Sequence, residues 1–277
     1  MINVSELLEI NTDLARKILT GFLREEVTRT GRSRGVVGVS GGIDSALSCF
    51  LAAEALGPAN VLAVRMPHKL SSPESLQHAQ LVIDATGVGS LTVDISPMVD
   101  PLIAGFPKMD ARRKGNIMAR ERMIVLYDQS AEFGGLVIGT GNKTEILLGY
   151  TTIFGDAACG INPLGDLYKT QVRQLARAMG VPKEIVAKPP TADLWAGQTD
   201  EGELGFTYAD ADKLLYLLVD ERYDPAECVQ AGFKKALVER VVEIIRRNQF
   251  KRMPPPIAKL SNRTIGYDFL YLRDWGT

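Results

Sequence analysis

Gly35-Val36-Val37-Gly38-Val39-Ser40-Gly41-Gly42-Ile43-Asp44-Ser45 is the stretch that decides the fold. Its first six residues are a short β-rich run and read as a buried strand. A Gly-Gly turn follows, and Ile43 to Leu56 reads as a helix that Gly57-Pro58 stops. A strand that enters a helix through paired glycines gathers free backbone N–H groups and the positive end of a helix dipole at one point. Glycine lets that backbone approach a phosphate closely, and the Ser40 and Ser45 hydroxyls add donors. Asp44 supplies a hard oxygen suited to a magnesium ion held by the same phosphates. No Lys follows the second glycine, so this is not the P-loop. The plain alternative is a tight turn with a capping Asp.

Outward from this loop the pattern alternates. Apolar residues Val4, Leu7, Leu8, Leu14, Ile18, Phe22 and Val27 space residues 3 to 28 as one amphipathic helix or two. Asn60 to Met66 reads as a second strand, Pro73 to Thr86 as a helix, and Leu91 to Ile95 as a third strand. Ala111 to Phe133 is a long helix, Leu136 to Gly139 a fourth strand, and Asn142 to Leu148 the start of another helix. Such alternation predicts an α/β fold, a doubly wound parallel sheet with helices on both faces. Ligands then bind beyond the carboxyl ends of the strands. Ser40-Gly41-Gly42 and Gly139-Thr140-Gly141 both fall there, which places a site before any family is considered.

Beyond Gly149 the periodicity weakens. Thr151 to Gly165 is loop-like, and Lys169 to Met179 is helical. Lys188 to Gly205 reads as a long polar loop of the lid or binding type. Helices return near Ala209 to Val219 and Lys234 to Asn248, before Met253-Pro254-Pro255-Pro256 and a tail rich in Tyr and Trp. A single domain over residues 1–277 is expected.

Composition narrows the function. Hydrophobic residues make up 45% and charged residues 23%, as in a soluble enzyme. With 32 Lys+Arg against 33 Asp+Glu there is no global basic field to hold nucleic acid. Cys49, Cys159 and Cys228 are scattered, form no CxxC pair, and are expected as buried reduced thiols. His68 and His78 are expected to face solvent without a role. No apolar run approaches the ~18 residues of a membrane span, and no signal peptide is visible, so a cytoplasmic location is expected.

Ser40-Gly41-Gly42-Ile43-Asp44-Ser45 resembles the SGGxDS signature of the PP-loop ATP-pyrophosphatases, which have an adenine nucleotide α-hydrolase-like fold and cleave ATP between its α and β phosphates. Further segments resemble one branch, ammonia-dependent NAD synthetase. Ala63-Val64-Arg65-Met66-Pro67 and Ala79-Gln80-Leu81 are similar to its second strand and the segment after it. Lys114-Gly115-Asn116-Ile117-Met118-Ala119-Arg120-Glu121-Arg122-Met123 resembles its GNxxARxRM helix. Gly139-Thr140-Gly141-Asn142-Lys143-Thr144-Glu145 resembles its GTxNxxE turn. Leu167-Tyr168-Lys169-Thr170-Gln171-Val172-Arg173, Lys188-Pro189-Pro190-Thr191-Ala192-Asp193-Leu194, the acidic stretch from Gln198 to Gly205 and the basic pair Lys251-Arg252 complete a likeness running from about Val36 to about Arg252.

The resemblance implies roles residue by residue. Gly38, Val39, Ser40, Gly41, Gly42, Ile43, Asp44, Ser45, Arg65, Gln80, Thr140, Lys169 and Thr191 would bind ATP. Asp44 and Glu145 would hold Mg2+, and Asp44 and Lys169 would be catalytic, Lys169 by stabilising charge shifting to pyrophosphate. Arg120 would hold deamido-NAD, with Asn116, Arg122, Asp156 and Lys251 around it. Arginine offers a forked donor matched to phosphate or carboxylate. The implied reaction converts deamido-NAD to NAD with ATP and ammonia, through an adenylate, releasing AMP and pyrophosphate.

Three positions depart from the family pattern. Ile153 stands for a Lys, Gly160 for an Asp and Phe250 for a His, while Gly155-Asp156 is kept. Loss of a Lys and an Asp together is either a compensated exchange or the mark of a different acid, such as nicotinate mononucleotide. Only about 35 residues precede the first strand, too few for a fused glutaminase, so free ammonia or a separate glutaminase is implied. A homodimer is implied by resemblance. Two other classes compete. A tRNA-modifying ATP-pyrophosphatase would need a basic face and zinc-type or catalytic cysteines. A non-catalytic nucleotide sensor would have no need for both Asp44 and Glu145.

Overall fold

The structure is a computed structural model, and it describes residues 4–191 and 199–269. The first half alternates as the sequence predicts. Helices α1 (Val4–Leu7) and α2 (Thr12–Arg29) lead into β1 (Arg34–Gly38), α3 (Ile43–Leu56), β2 (Val61–Arg65) and α4 (Pro73–Thr86). Then come β3 (Gly89–Thr92), α5 (Ser96–Ala104), α6 (Ala111–Phe133), β4 (Gly135–Ile138) and α7 (Lys143–Leu148). The second half is helical: α8 (Lys169–Ala178), α9 (Lys183–Ala187), α10 (Asp200–Leu204), α11 (Tyr208–Leu215), α12 (Pro225–Gln230) and α13 (Lys235–Arg247). No described helix is long and apolar enough to cross a membrane.

Local chemistry sets the boundaries. Ser72 caps α4 with its side chain on the Ser75 N–H, Pro73 opens it, and Gly87 closes it in the left-handed conformation. Asp110 caps α6 and Gly134 ends it in the same way. Asn142 and Glu145 form a capping box on α7. These signals lie within a few residues of the boundary, so α3, α4 and α6 begin and end where their sequences place them.

All four strands are parallel, in the order β3-β2-β1-β4. Val37 pairs with Ala63 on one side and Ile138 on the other. Alternation along the strands sends side chains to opposite faces. Val37, Ala63 and Ile138 join a core with Leu47 and Leu51 of α3, Val82 of α4 and Leu175 of α8. Val36 and Val64 join Val99 of α5 and Met118 and Val125 of α6 on the other face. The sheet is therefore covered on both faces, as expected of a doubly wound fold. A third cluster, with Tyr168, Tyr208, Leu214, Val238 and Val241 at its centre, joins α8 to α11 and α13.

Several expectations are corrected. Helix α5 was not read from the sequence, because Pro97 and Pro101 disguise its period. The third strand is Gly89–Thr92 rather than Leu91 to Ile95. The Val93 and Ile95 N–H groups still donate to Arg65 and Pro67 carbonyls, so the chain continues alongside β2 without regular pairing. Within Lys188 to Gly205, Asp200–Leu204 is helical under a Thr199 cap. His68 and His78 are buried rather than solvent-facing, at 3% and 7% exposure. His68 Nε2 lies 3.0 Å from Asp100 Oδ1 under the α5 turn. Cys49 and Cys228 are buried as expected, but Cys159 is partly exposed.

Candidate active site

The chain runs β1-β2-β3 in one direction and returns to place β4 on the far side of β1. The carboxyl ends of β1 and β4 thus flank the point where strand order reverses, the position at which such sheets open a crevice. A cavity of about 630 Å³ opens there, lined by Gly38, Val39, Ser40, Ser45 and Thr140 among others.

The loop after β1 is tied to itself. The Ser45 hydroxyl donates to the Gly42 carbonyl at 2.9 Å and lies 3.1 Å from the Ser40 hydroxyl, and the Ser40 N–H donates to Ser45 Oγ at 3.2 Å. Gly42 is the N-cap of α3 and supplies no side-chain cap, so the first N–H groups of that helix point at the loop without an intrinsic partner. Gly41 has φ +81, and a Cβ there would lie 2.2 Å from the Ser75 carbonyl oxygen. Only glycine meets both constraints.

Three charged groups converge beside this loop. Lys169, the first residue of α8, places Nζ 2.5 Å from Asp44 Oδ2 and 3.1 Å from Glu145 Oε1. Its side chain is 4% exposed and lies 5.1 Å from the Tyr208 ring centroid. Burial pulls the Lys169 ammonium toward neutrality, but Asp44 and Glu145 outweigh it and hold the pKa above the usual lysine value. Burial pushes the Glu145 carboxyl up, against the pull of Lys169. Asn142 organises both acids. Its Nδ2 donates to Asp44 Oδ1 at 2.9 Å, and its Oδ1 accepts the Glu145 N–H at 3.0 Å.

The other sequence candidates divide. Arg65, Thr140, Asn116, Arg122, Asp156 and Lys251 all line the cavity. Arg65 Nη1 donates to Gln80 Oε1 at 2.6 Å, while its buried Nε has no partner. Gln80 does not line the cavity and acts on Arg65, passing its own amide to Asp84 at 2.7 Å. Arg122 Nε donates to the Met66 carbonyl and Asn116 Oδ1 accepts from Thr152. Burial raises the Asp156 carboxyl against hydrogen bonds from Thr152 and, last, the Lys251 charge, while burial lowers Lys251 against the charge of Asp156. Arg120 is exposed and donates to the Ile153 carbonyl at 3.2 Å, outside the lining. Thr191 lies in a second groove of about 510 Å³ with His78 and Lys188. Ala192, Asp193, Leu194 and Gln198 lie outside the described residues.

None of the three departing positions lines the cavity. At Gly160 a Cβ would meet Leu136 Cδ1 at 2.5 Å, so any side chain there requires Leu136 to move. Phe250 is 63% exposed. Residues to which the sequence assigns no role include Tyr150, Tyr208 and Asp212, and also Asn142 and Asp200, which lie within family-like segments. Asn142 carried a local signal, the N-x-x-E capping spacing, and Asp200 lay in the acidic stretch from Gln198 to Gly205.

The match to a family model decides what this geometry belongs to: residues 15–255 fit the model described as NAD synthase. The chain belongs to the NAD synthase family. It is 58% identical to the NH(3)-dependent NAD(+) synthetase of Trichlorobacter lovleyi over 269 residues, 97% of this chain and 98% of that protein. Among solved structures, the NH3-dependent NAD synthetase of Campylobacter jejuni superposes with a TM-score of 0.77 at 31% identity, covering 90% of this chain and 100% of the other. The NMN synthetase of Francisella tularensis gives a TM-score of 0.79 at 32% identity, covering 92% and 100%. Ligase chemistry forming a carbon–nitrogen bond follows from membership of the NAD synthase family.

Proposed function

We propose that this NAD synthase family member amidates deamido-NAD to NAD with ammonia, through an adenylate, releasing AMP and pyrophosphate. The convergence of Asp44, Lys169 and Glu145 beside the N–H groups of α3 carries this reading. The substrate carboxylate attacks the α-phosphorus of ATP, and the leaving pyrophosphate gains negative charge. The loop of residues 40–45 receives that charge on backbone N–H groups and serine hydroxyls, and Lys169 supplies a fixed ammonium beside it. Ammonia then adds to the acyl carbonyl and AMP departs. Arg65, Asn116, Arg122, Asp156 and Lys251 line the cavity, which Asp44, Glu145 and Lys169 do not themselves line, and are assigned to the nucleotide substrates. Arg120 and Thr191 are assigned to deamido-NAD and ATP by family likeness, and each would have to turn inward to serve.

Among the described residues no group of three His, Cys, Asp or Glu side chains could hold a metal by itself. Magnesium does not require one, since it commonly takes one or two carboxylates with phosphate oxygens and water. Asp44 and Glu145 fit this: they are hard oxygen donors that already converge on one cation, the Lys169 ammonium. Bound there with the phosphates, Mg2+ would draw charge from the phosphoryl oxygens. We further assign a cytoplasmic homodimer using free ammonia or a separate glutaminase.

The test is incubation with ATP, magnesium and ammonium, read by mass spectrometry, with deamido-NAD and nicotinate mononucleotide in parallel. NAD, AMP and pyrophosphate appearing together only with deamido-NAD supports the assignment. An amide product only with nicotinate mononucleotide would replace it with the second acid.

A further inference from the structure

Asp212 sits on α11, in the helical cluster away from the sheet, and is fully buried at 0% exposure. No Lys or Arg among the described residues forms an ion pair with it. The Lys169 charge acts on it without direct contact, and a buried carboxylate that forms no ion pair is costly unless donors satisfy it. Here two do. Oδ1 accepts the Thr144 hydroxyl at 2.6 Å, and Oδ2 accepts the Thr170 N–H at 2.7 Å. The same Thr144 hydroxyl oxygen accepts the Lys169 N–H at 3.0 Å.

These contacts fall on both sides of the site. Thr144 precedes Glu145 on α7, and Thr170 follows Lys169 on α8. The N-cap of α8, Tyr168, gives its own N–H to Gln171 Oε1 at 2.9 Å but makes no side-chain cap, its hydroxyl going to Asp220 instead. Asp212 therefore supplies from a distant helix the anion that the start of α8 lacks, where backbone N–H groups and the helix dipole favour one. One carboxylate thus fixes the first turn of α8 and, through Thr144, holds it in register with α7. The Lys169 side chain leaves from that turn and the Glu145 side chain from the adjoining residue of α7.

We propose that Asp212, acting through Thr144 and the first turn of α8, is the positioning residue that aims Lys169 between Asp44 and Glu145. It touches neither the cavity nor those two acids. The proposal rests on the role given to Lys169 above. An apolar residue at 212 would pack without the cost of burying a charge, but it would leave the Thr170 N–H and the Thr144 hydroxyl unsatisfied and the helix start free to turn. Small misplacements of a charge-stabilising group are costly in rate, up to about 100-fold for 1 Å.

The experiment is a double-mutant cycle on the full chain. Steady-state kinetics and thermal melting are measured for Asp212→Asn, Thr144→Val, Thr144→Ser, Lys169→Ala and the doubles with Lys169→Ala. Asp212→Asn is expected to lower kcat about tenfold or more, with the KM for ATP changed by less than about threefold. Thr144→Val is expected to act in the same direction and Thr144→Ser to restore nearly wild-type kcat. In the Lys169→Ala background, Asp212→Asn is expected to change the residual kcat by less than about twofold, because the group being aimed is gone. An Asp212→Asn variant that melts earlier but keeps wild-type kcat would overturn the proposal, as would an equal kcat loss with and without Lys169. If Asp212→Asn does not fold, Thr144→Val carries the same cycle with the same criteria. Wild-type kcat in Lys169→Ala alone would instead overturn the role of Lys169, and this inference with it.

Discussion

Lys169 Nζ lies 2.5 Å from Asp44 Oδ2 although the two residues are 125 positions apart, and the lysine is almost wholly buried. Such a pair is a poor way to gain stability, because desolvating both charges consumes most of the Coulombic gain. The proposed reaction, in which negative charge develops beside a helix N-terminus, accounts for a pair that stability alone does not.

Replacing Lys169 by Ala removes the ammonium that bridges Asp44 and Glu145. Pyrophosphate release is expected to fall by about 100- to 1000-fold, the range for losing a charge-stabilising donor in an enclosed site. A coupled pyrophosphate assay measures it, and release within a few-fold of wild type would remove Lys169 from the chemistry.

Gly41→Ala strains the loop twice. Its left-handed backbone costs about 1–2 kcal/mol with a side chain present. The new Cβ would also meet the Ser75 carbonyl at 2.2 Å, a backbone atom that cannot step aside. Titration calorimetry should show ATP affinity reduced at least about tenfold, which corresponds to about 1.4 kcal/mol. Unchanged affinity would mean the loop opens away from α4 without cost.

Asn142 has two separable tasks, and two substitutions split them. Asn142→Ala loses the cap on α7 and the bond to Asp44, so urea unfolding should show a loss of about 1 kcal/mol together with lower kcat. Asn142→Asp keeps an acceptor for the Glu145 N–H but sets a third carboxylate against Asp44. It should retain more of the capping stability than Ala yet lose at least as much kcat. Equal kcat in wild type and Asn142→Asp would show that the amide donor to Asp44 is dispensable.

Acid stability should depend on Asp100. The Lys69 ammonium and then His68 bond its carboxylate and hold the pKa below the usual Asp value. A lowered folded-state pKa contributes stability above the ordinary carboxylate range, lost as pH falls through the depressed value. Melting temperatures from pH 7 downward should therefore fall more for wild type than for Asp100→Asn. Parallel curves would show that the exposed part of this cluster is screened by solvent.

Much of the architecture was written locally. The strand-turn-helix at residues 34–56, the caps of α4 and α6, and the two glycine-rich turns are short-range signals, and each element formed where its residues placed it. Asp44 was a candidate from the residues of its own loop, whereas Glu145 and Lys169 became candidates only through the likeness of their segments to the family's motifs.

What the sequence by itself determined was therefore the parallel sheet, helices α3, α4 and α6 and the glycine-rich loop between β1 and α3, because hydrophobic period and capping act over a few residues. The tertiary structure alone decided that His68 and His78 are buried, that Arg120 turns to the Ile153 carbonyl, and that Asp212 reaches Thr144 across 68 positions. A polar side chain carries no local record of what will pack over it. Its partner is chosen when α5 closes on α6 and when α7, α8 and α11 close on one another, and each closure depends on several apolar faces at once.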